Sequence, residues 1–252
     1  MLVQSVGARF VLVILICLAQ MAAFRTAPHL AARPGSVRGP AQVPPETVLL
    51  ADDFNLNAID GSKWVPGSLF SGLTDSSLMV ADSSQQLRIG PLKQAASGSH
   101  YNGLRSAAMF DFTGAYCYVQ IVTAPPGNTA ADAMLTIGPD VNNYYRIYIE
   151  SGNLIVQRKV AGAKAVLLSQ PYDAAMDSYV RIRHDVATGS VLFEVASDNA
   201  GVPGPWSRIY TEPWNSAIAL TSVLLELKAG TWQAEANPAG TVVFDNFKAA
   251  KP

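Results

Sequence analysis

The chain has 252 residues, of which 49% are hydrophobic, enough for a full-sized core, and all-β sandwiches of roughly 200 residues commonly form one domain. The formal net charge is −1 at pH 7 and no stretch concentrates Lys and Arg. Binding a phosphate backbone calls for such a basic stripe, so nucleic acid is excluded as an expected partner.

The first 45 residues stand apart. "MLVQSVGAR" carries one positive charge, Arg9, and precedes an apolar run from Phe10 to Phe24 broken only by Gln20. A charged start followed by an apolar stretch too short for the roughly 20 residues of a spanning helix reads as an export signal. Residues 1–24 are therefore expected to be a signal peptide or an uncleaved N-terminal anchor, the anchor being the only expected membrane contact. Cys17 follows Ile16, where a lipoprotein signal wants a small residue, so lipidation is not expected. Residues 25–45, rich in Pro, Ala and Gly without apolar period, read as a disordered spacer. The protein is expected to be exported, whether extracellular, periplasmic or at the cell surface.

From Glu46 to Pro252 short alternating segments are separated by turn residues, which predicts an all-β sandwich or barrel. They run from "TVLLADDF" through "SLMVAD", "QLRIGPL", "GLRSAAMF", "AYCYVQIVTA", "AMLTIGP", "YYRIYIES", "LIVQRKV", "AVLLSQ", "YVRIRHD", "VLFEVAS", "SRIYTE" and "TSVLLELKA" to "TVVFDNF". Turns are marked at Ser151-Gly152, Ala161-Gly162, Asp185 to Gly189 and Asn199 to Gly201, where Gly, Asn or Asp supplies positive φ or a side-chain cap. Cys117 alternates in phase with Val119 and Ile121, which predicts a buried apolar side chain rather than a reactive thiol.

The order of four stretches resembles the concanavalin A-like lectin/glucanase superfamily. These are "DDFNLNAIDGSKW", "NYYRIYIESGNLIVQRK", "VRIRHDVATGSVLFEVA" and the closing "GTVVFDNFK". More narrowly they resemble its laminin-G-like bacterial modules in exported proteins. The resemblance spans about residues 47–248. It implies a jelly-roll sandwich of two curved antiparallel sheets, with the first and last strands adjacent.

Period-two reading separates a polar face from the core. Tyr144, Arg146, Tyr148 and Glu150 alternate with Tyr145, Ile147 and Ile149; Arg181 and Arg183 alternate with Val180, Ile182 and His184; Glu226 and Lys228 alternate with Val223, Leu225 and Leu227. If these strands are neighbours, Arg and Glu side chains form cross-strand pairs about 5 Å apart on one surface. Sugars stack on aromatic rings and take bidentate hydrogen bonds from Arg and carboxylates. Arg146, Tyr148, Glu150, Arg181, Arg183 and Glu226 are thus the candidate ligand-binding set; the alternative is a merely solvated sheet face. Trp64, after the first turn, is expected in the core or at its rim. Of the loop tryptophans, Trp206, Trp214 and Trp232, the last joins the candidate set, because Gln233, Glu235 and Asn237 surround it.

The acidic opening carries residue types that ligate hard cations. Asp53, Asn55, Asn57 and Asp60 have near EF-hand spacing, but Ala58 replaces the glycine and Trp64 the final Glu, so an EF-hand is rejected. The resemblance would bring Asp52 or Asp53 near Asp245, where such sandwiches often hold a structural Ca²⁺; the alternative is that these residues cap turns. No other cofactor is expected.

Glucanases of this superfamily carry two carboxylates in an E-x-D-x-x-E strand, about 5 Å apart for a retaining mechanism. That motif is absent; Glu194 to Asp198 and Glu226 to Lys228 are the nearest fragments. His184 is in phase with the core. No G-x-S-x-G, phosphate-binding loop or clustered His/Cys occurs. The expected function is a non-catalytic module binding a polysaccharide or other glycan. A surface-displayed structural or adhesion domain is the alternative, and a glycan-cleaving enzyme with an unfamiliar acid/base pair the third reading.

Overall fold

Hairpins with φ-positive turns dominate the architecture. Ser151-Gly152 (φ 51° and 74°), Ala161-Gly162 (48° and 84°) and Ala200-Gly201 (53° and 84°) each place two successive residues in the left-handed region. That geometry matches the right-handed twist of the strands on either side, so tight antiparallel pairs follow directly. The computed structural model describes residues 45–72, 74–93, 97–237 and 239–252; the leader and nearly all of the expected spacer lie outside them.

Among the described residues seventeen strands are formed: β1 (Thr47–Asp52), β2 (Trp64–Pro66), β3 (Met79–Ser83), β4 (Gln86–Gly90), β5 (His100–Ser106), β6 (Tyr116–Thr123), β7 (Ala131–Asp140), β8 (Asn143–Glu150), β9 (Asn153–Val160), β10 (Ala163–Pro171), β11 (Tyr179–Asp185), β12 (Ser190–Ala196), β13 (Asp198–Asn199), β14 (Val202–Pro203), β15 (Ser207–Pro213), β16 (Leu224–Thr231) and β17 (Val242–Lys251). One sheet has eight strands in the order β15-β12-β11-β6-β17-β4-β3, with β1 also paired to β17. The other has seven, in the order β10-β9-β8-β7-β16-β5-β2. All pairings are antiparallel, and among the described residues there is no helix. The fold is the expected all-β sandwich, and β1 does lie against β17, with Asp52 opposite Phe247.

The core lies between the sheets and uses the alternate residues read from the sequence. Tyr145, Ile147 and Ile149 of β8 and Val223, Leu225 and Leu227 on and just before β16 meet Cys117, Val119, Val180 and Ile182 of the opposite sheet in one apolar cluster. Each fully buried aliphatic side chain contributes on the order of 1.5–3 kcal/mol. Cys117 is wholly buried and its thiol is pushed up by burial. His184 is buried too; its Nδ1 accepts the Gly114 N–H at 3.0 Å and its ring meets Trp214 edge-on at 5.3 Å.

Three features were not foreseen. The short β2 and the β13–β14 ribbon occupy stretches read as loops. More important, β7 starts at Ala131, which puts Asp132 inside the strand. The expected single polar face also does not exist. Arg146, Tyr148, Glu150 and Glu226 belong to the seven-stranded sheet, whereas Arg181 and Arg183 sit on β11 in the other. The two groups are on opposite outer faces of the sandwich because each alternates with residues that point into the same core.

Candidate functional site

The outer face of the seven-stranded sheet is built from cross-strand rows. One row reads Arg105, Glu226, Thr136, Arg146, Gln157 across β5, β16, β7, β8 and β9. The next reads Gly103, Lys228, Met134, Tyr148, Ile155, and a third reads Tyr101, Gly230, Asp132, Glu150, Asn153. Met134, Tyr148 and Ile155 pack together as a small second apolar cluster with Tyr101 beside it. Polar rows flank this cluster, and the Ser71–Gly72 loop, Ser99 and Trp232 rise beside it. Between them lies a groove of about 330 Å³.

Two glycines shape one wall. A Cβ on Gly103 would stand 2.1 Å from the Leu227 carbonyl, and one on Gly230 would stand 2.1 Å from the His100 carbonyl and 2.5 Å from the Tyr101 ring. Gly103 lies opposite Lys228 and Gly230 opposite Tyr101, so the missing side chains leave room for these two to pack diagonally. The Lys228 ammonium sits 4.8 Å from the centre of the Tyr101 ring, within cation–π range.

The charged groups are buried and unequally engaged. Glu226 accepts hydrogen bonds from the Ser71 N–H (3.2 Å) and, in a short contact, from the Ser71 hydroxyl; Lys228 donates to the same hydroxyl at 2.7 Å and lies 3.7 Å from Glu226. Asp132, 1% exposed, accepts from the Tyr101 hydroxyl at 2.9 Å on one oxygen, while its other oxygen has no hydrogen-bond partner. Burial pushes Asp132 up toward neutrality against the opposing pull of Lys228, and burial together with the Arg146 charge pushes Lys228 down. Glu150 is raised by burial as well. Arg146, 5% exposed, donates Nε–H to Thr136 at 3.0 Å and lies over the Tyr144 ring at 4.5 Å; one of its terminal nitrogens has no partner. Gln157 Oε1 is likewise buried without a partner. Buried polar groups are nearly always hydrogen-bonded, so an unpartnered set in one groove calls for explanation, and a bound ligand is one.

Of the sequence candidates, Arg146, Tyr148, Glu150 and Trp232 line this groove, and Glu226 lies beside it, closed off by Ser71. Trp232 is 41% exposed. Tyr148 is buried in the second apolar cluster, so its replacement by Ala would disturb packing as well as the surface. Arg181 and Arg183 do not contribute. On the opposite face Glu194 accepts from Arg181 at 2.7 Å and from Arg183 at 3.3 Å, and Arg181 stacks 4.0 Å from the Trp206 ring. Asp132, Tyr101, Tyr144, Gln157, Lys159, Lys164 and Ser71 were missed as site residues. Asp132 carried a signal, a lone acid in phase with Met134 and Thr136 in an apolar strand. Ser71 is brought in from 155 residues away and had none.

The acidic opening serves turns and the adjoining core. Asp52 accepts from the Phe54 N–H (3.0 Å) and the Trp64 indole N–H (2.8 Å) and lies 3.7 Å from Lys63. Asp53 caps the Asn55 N–H, and Asp245 the Asn246 N–H. Among the described residues no three His, Cys, Asp or Glu side chains converge as metal ligands. Asp52, Asp53 and Asp245 each accept from a nearby backbone N–H, the contacts that the turn-cap alternative expects.

No family model and no curated protein matches the chain. Solved structures do. The β-glucanase of Bacillus licheniformis superposes with a TM-score of 0.51 at 11% identity, over 81% of this chain and 97% of that one. A variant of LamA from Zobellia galactanivorans, in complex with laminaritriose and laminaritetraose, gives 0.53 at 12% identity over 82% and 99%. An immunostimulatory antigen and pseudo β-1,3-glucanase of Mycobacterium tuberculosis gives 0.52 at 11% identity over 82% and 99%. The fold is the concanavalin A-like jelly roll. At these identities the likeness establishes the jelly roll alone, and the proteins sharing it include a β-glucanase and a pseudo β-1,3-glucanase. The groove on this jelly roll has therefore to be read from its own residues.

Proposed function

We propose that the protein is an exported, non-catalytic glycan-binding module whose ligand lies along the groove of the seven-stranded sheet. The observation that carries this is the set of buried, unpartnered polar atoms on Asp132, Arg146 and Gln157 lining one groove together with Tyr101, Tyr148 and the exposed Trp232. A sugar offers what such a surface lacks: hydroxyls for the open donor and acceptors, and C–H faces for the rings. Structural neighbours that act on or hold glucans agree with it. Export rests on the charged and apolar leader, and kinship with laminin-G-like exported modules on the sequence resemblance; both belong to this proposal.

One observation favours a second reading, hydrolysis. Asp132 and Glu150 are direct cross-strand partners, which places their Cβ atoms about 5 Å apart, in the range from which two carboxylates can serve a retaining mechanism. Against it, burial raises both acids, the opposite of what a nucleophile needs, and the Tyr101 hydroxyl already engages Asp132. A panel of soluble polysaccharides, followed for both binding and released reducing ends, separates the readings. Binding without product is the expected result. Product lost in Asp132→Asn and Glu150→Gln would establish an enzyme, and neither binding nor product would leave a structural domain.

A further inference from the structure

One end of the groove is crowded with positive charge. Lys159 of β9 and Lys164 of β10 are directly opposite each other across the strand pair, and Tyr144 of β8 is the next partner of Lys159. The Tyr144 ring receives the Arg146 guanidinium at 4.5 Å and the Lys159 ammonium at 5.6 Å. Two cations thus face one aromatic ring and a third, Lys164, stands opposite Lys159, although like charges directly opposite on a sheet are destabilising.

The local carboxylates do not neutralise them. Among the described residues, neither Arg146, Lys159 nor Lys164 makes an ion pair within 4.0 Å, whereas Glu226 is held by Ser71 and Lys228. Asp140 acts on Lys159 only from a distance, while its carboxylate binds the Asn142 N–H and the Asn143 amide. Glu150 and Asp132 face the same groove; burial raises both, opposed at Glu150 by Lys164 and at Asp132 by Lys228 and Arg146, and among the described residues neither acid makes an ion pair within 4.0 Å. Burial, then Lys164 and Arg146, depress the Lys159 ammonium, a sign of unrelieved repulsion. The buried Arg146 also keeps an unpartnered terminal nitrogen.

We propose that this groove selects an acidic glycan, with a carboxylate or sulfate of the sugar seated among Arg146, Lys159 and Lys164 beside the Tyr144 ring. The inference rests on the glycan-binding reading and names its ligand class. An anionic substituent supplies the missing partner of the guanidinium and relieves the opposed lysines, and charge-assisted hydrogen bonds to Arg are strong and directional. A neutral glucan would leave all three cations without a contact ion pair.

The test is calorimetric titration of the full chain with three hexasaccharides: a neutral β-1,3-glucan, an oligogalacturonate and a sulfated carrageenan fragment. Wild type is compared with Lys159→Gln, at a partly exposed position, and Lys164→Gln, at an exposed one, so that folding is retained, with thermal melts as a check. At least one acidic probe is expected to bind about tenfold tighter than the neutral one, more weakly as salt is raised, and to lose most of that margin in both variants. The uronate and sulfate arms decide which anion is taken. Equal or tighter binding of the neutral glucan, or an acidic preference unmoved by the two substitutions, overturns the proposal while leaving glycan binding standing. No binding by any probe overturns both.

Discussion

Asp132 concentrates the chemistry of the groove in one side chain. Its carboxyl is buried and raised, so between its unfolded pKa near 3.8 and its higher folded value the native state holds the extra proton. Stability therefore falls as pH rises through that window. Asp132→Asn removes the titration, and the variant is expected to gain on the wild type by about 1 kcal/mol or more as pH is raised from 4 to 7. Urea midpoints at matched pH check this; a constant difference would show that Asp132 is not strained. Trp232 behaves differently, since its ring is largely on the surface. Trp232→Ala is expected to weaken glycan binding about tenfold, roughly 1.4 kcal/mol, with a thermal midpoint nearly unchanged. Tyr148→Ala would be a poor test of binding, because Tyr148 also packs on Met134 and Ile155.

At the scale of elements, the pairing of β5 with β16 depends on two positions without side chains. Gly230→Ala drives a methyl group against the His100 carbonyl and the Tyr101 ring, and such overpacking costs about 1–3 kcal/mol. Chemical denaturation is expected to show that loss together with weaker ligand binding, because Tyr101 and Lys228 move with the strand. On the opposite sheet, β11 and β12 are joined by Glu194 between Arg181 and Arg183. Burial opposes ionisation there, yet the two guanidiniums hold the carboxyl below its usual value. The depressed pKa makes this contribution present above about pH 4.5 and lost as pH falls. Glu194→Gln is expected to cost roughly 1–3 kcal/mol at pH 7, with the gap to wild type closing in acid, and to leave glycan binding intact. A loss of binding would show that the two outer faces communicate.

For the whole molecule, one core serves two sheets whose outer faces differ in role. Ile147, wholly buried in that core, sits on β8 between the groove residues Arg146 and Tyr148. Ile147→Ala is expected to cost about 2–5 kcal/mol with one cooperative unfolding transition, since its contacts join both sheets. Two separate transitions in calorimetry would contradict the single shared core. The period-two patterns were enough to assign the all-β class, the hairpin turns at Ser151-Gly152 and Ala161-Gly162, and the inward residues of β8, β11 and β16. Such patterns are local, and a strand must turn its apolar residues to a core wherever it lies in the sheet order. They could not say which outer faces coincide. Arg146 and Arg181 read alike in the sequence, yet they stand on opposite sides of the sandwich because strand order is set by long-range pairing. Packing between distant segments likewise brought the Ser71 loop to Glu226 and β16 beside β7, whereas Asp132 beside Glu150 and Lys159 opposite Lys164 follow from hairpins between consecutive strands. The sequence by itself determined what each strand buries; only the tertiary structure decided which exposed groups meet, because neighbours across a sheet are chosen by register between segments far apart in the chain.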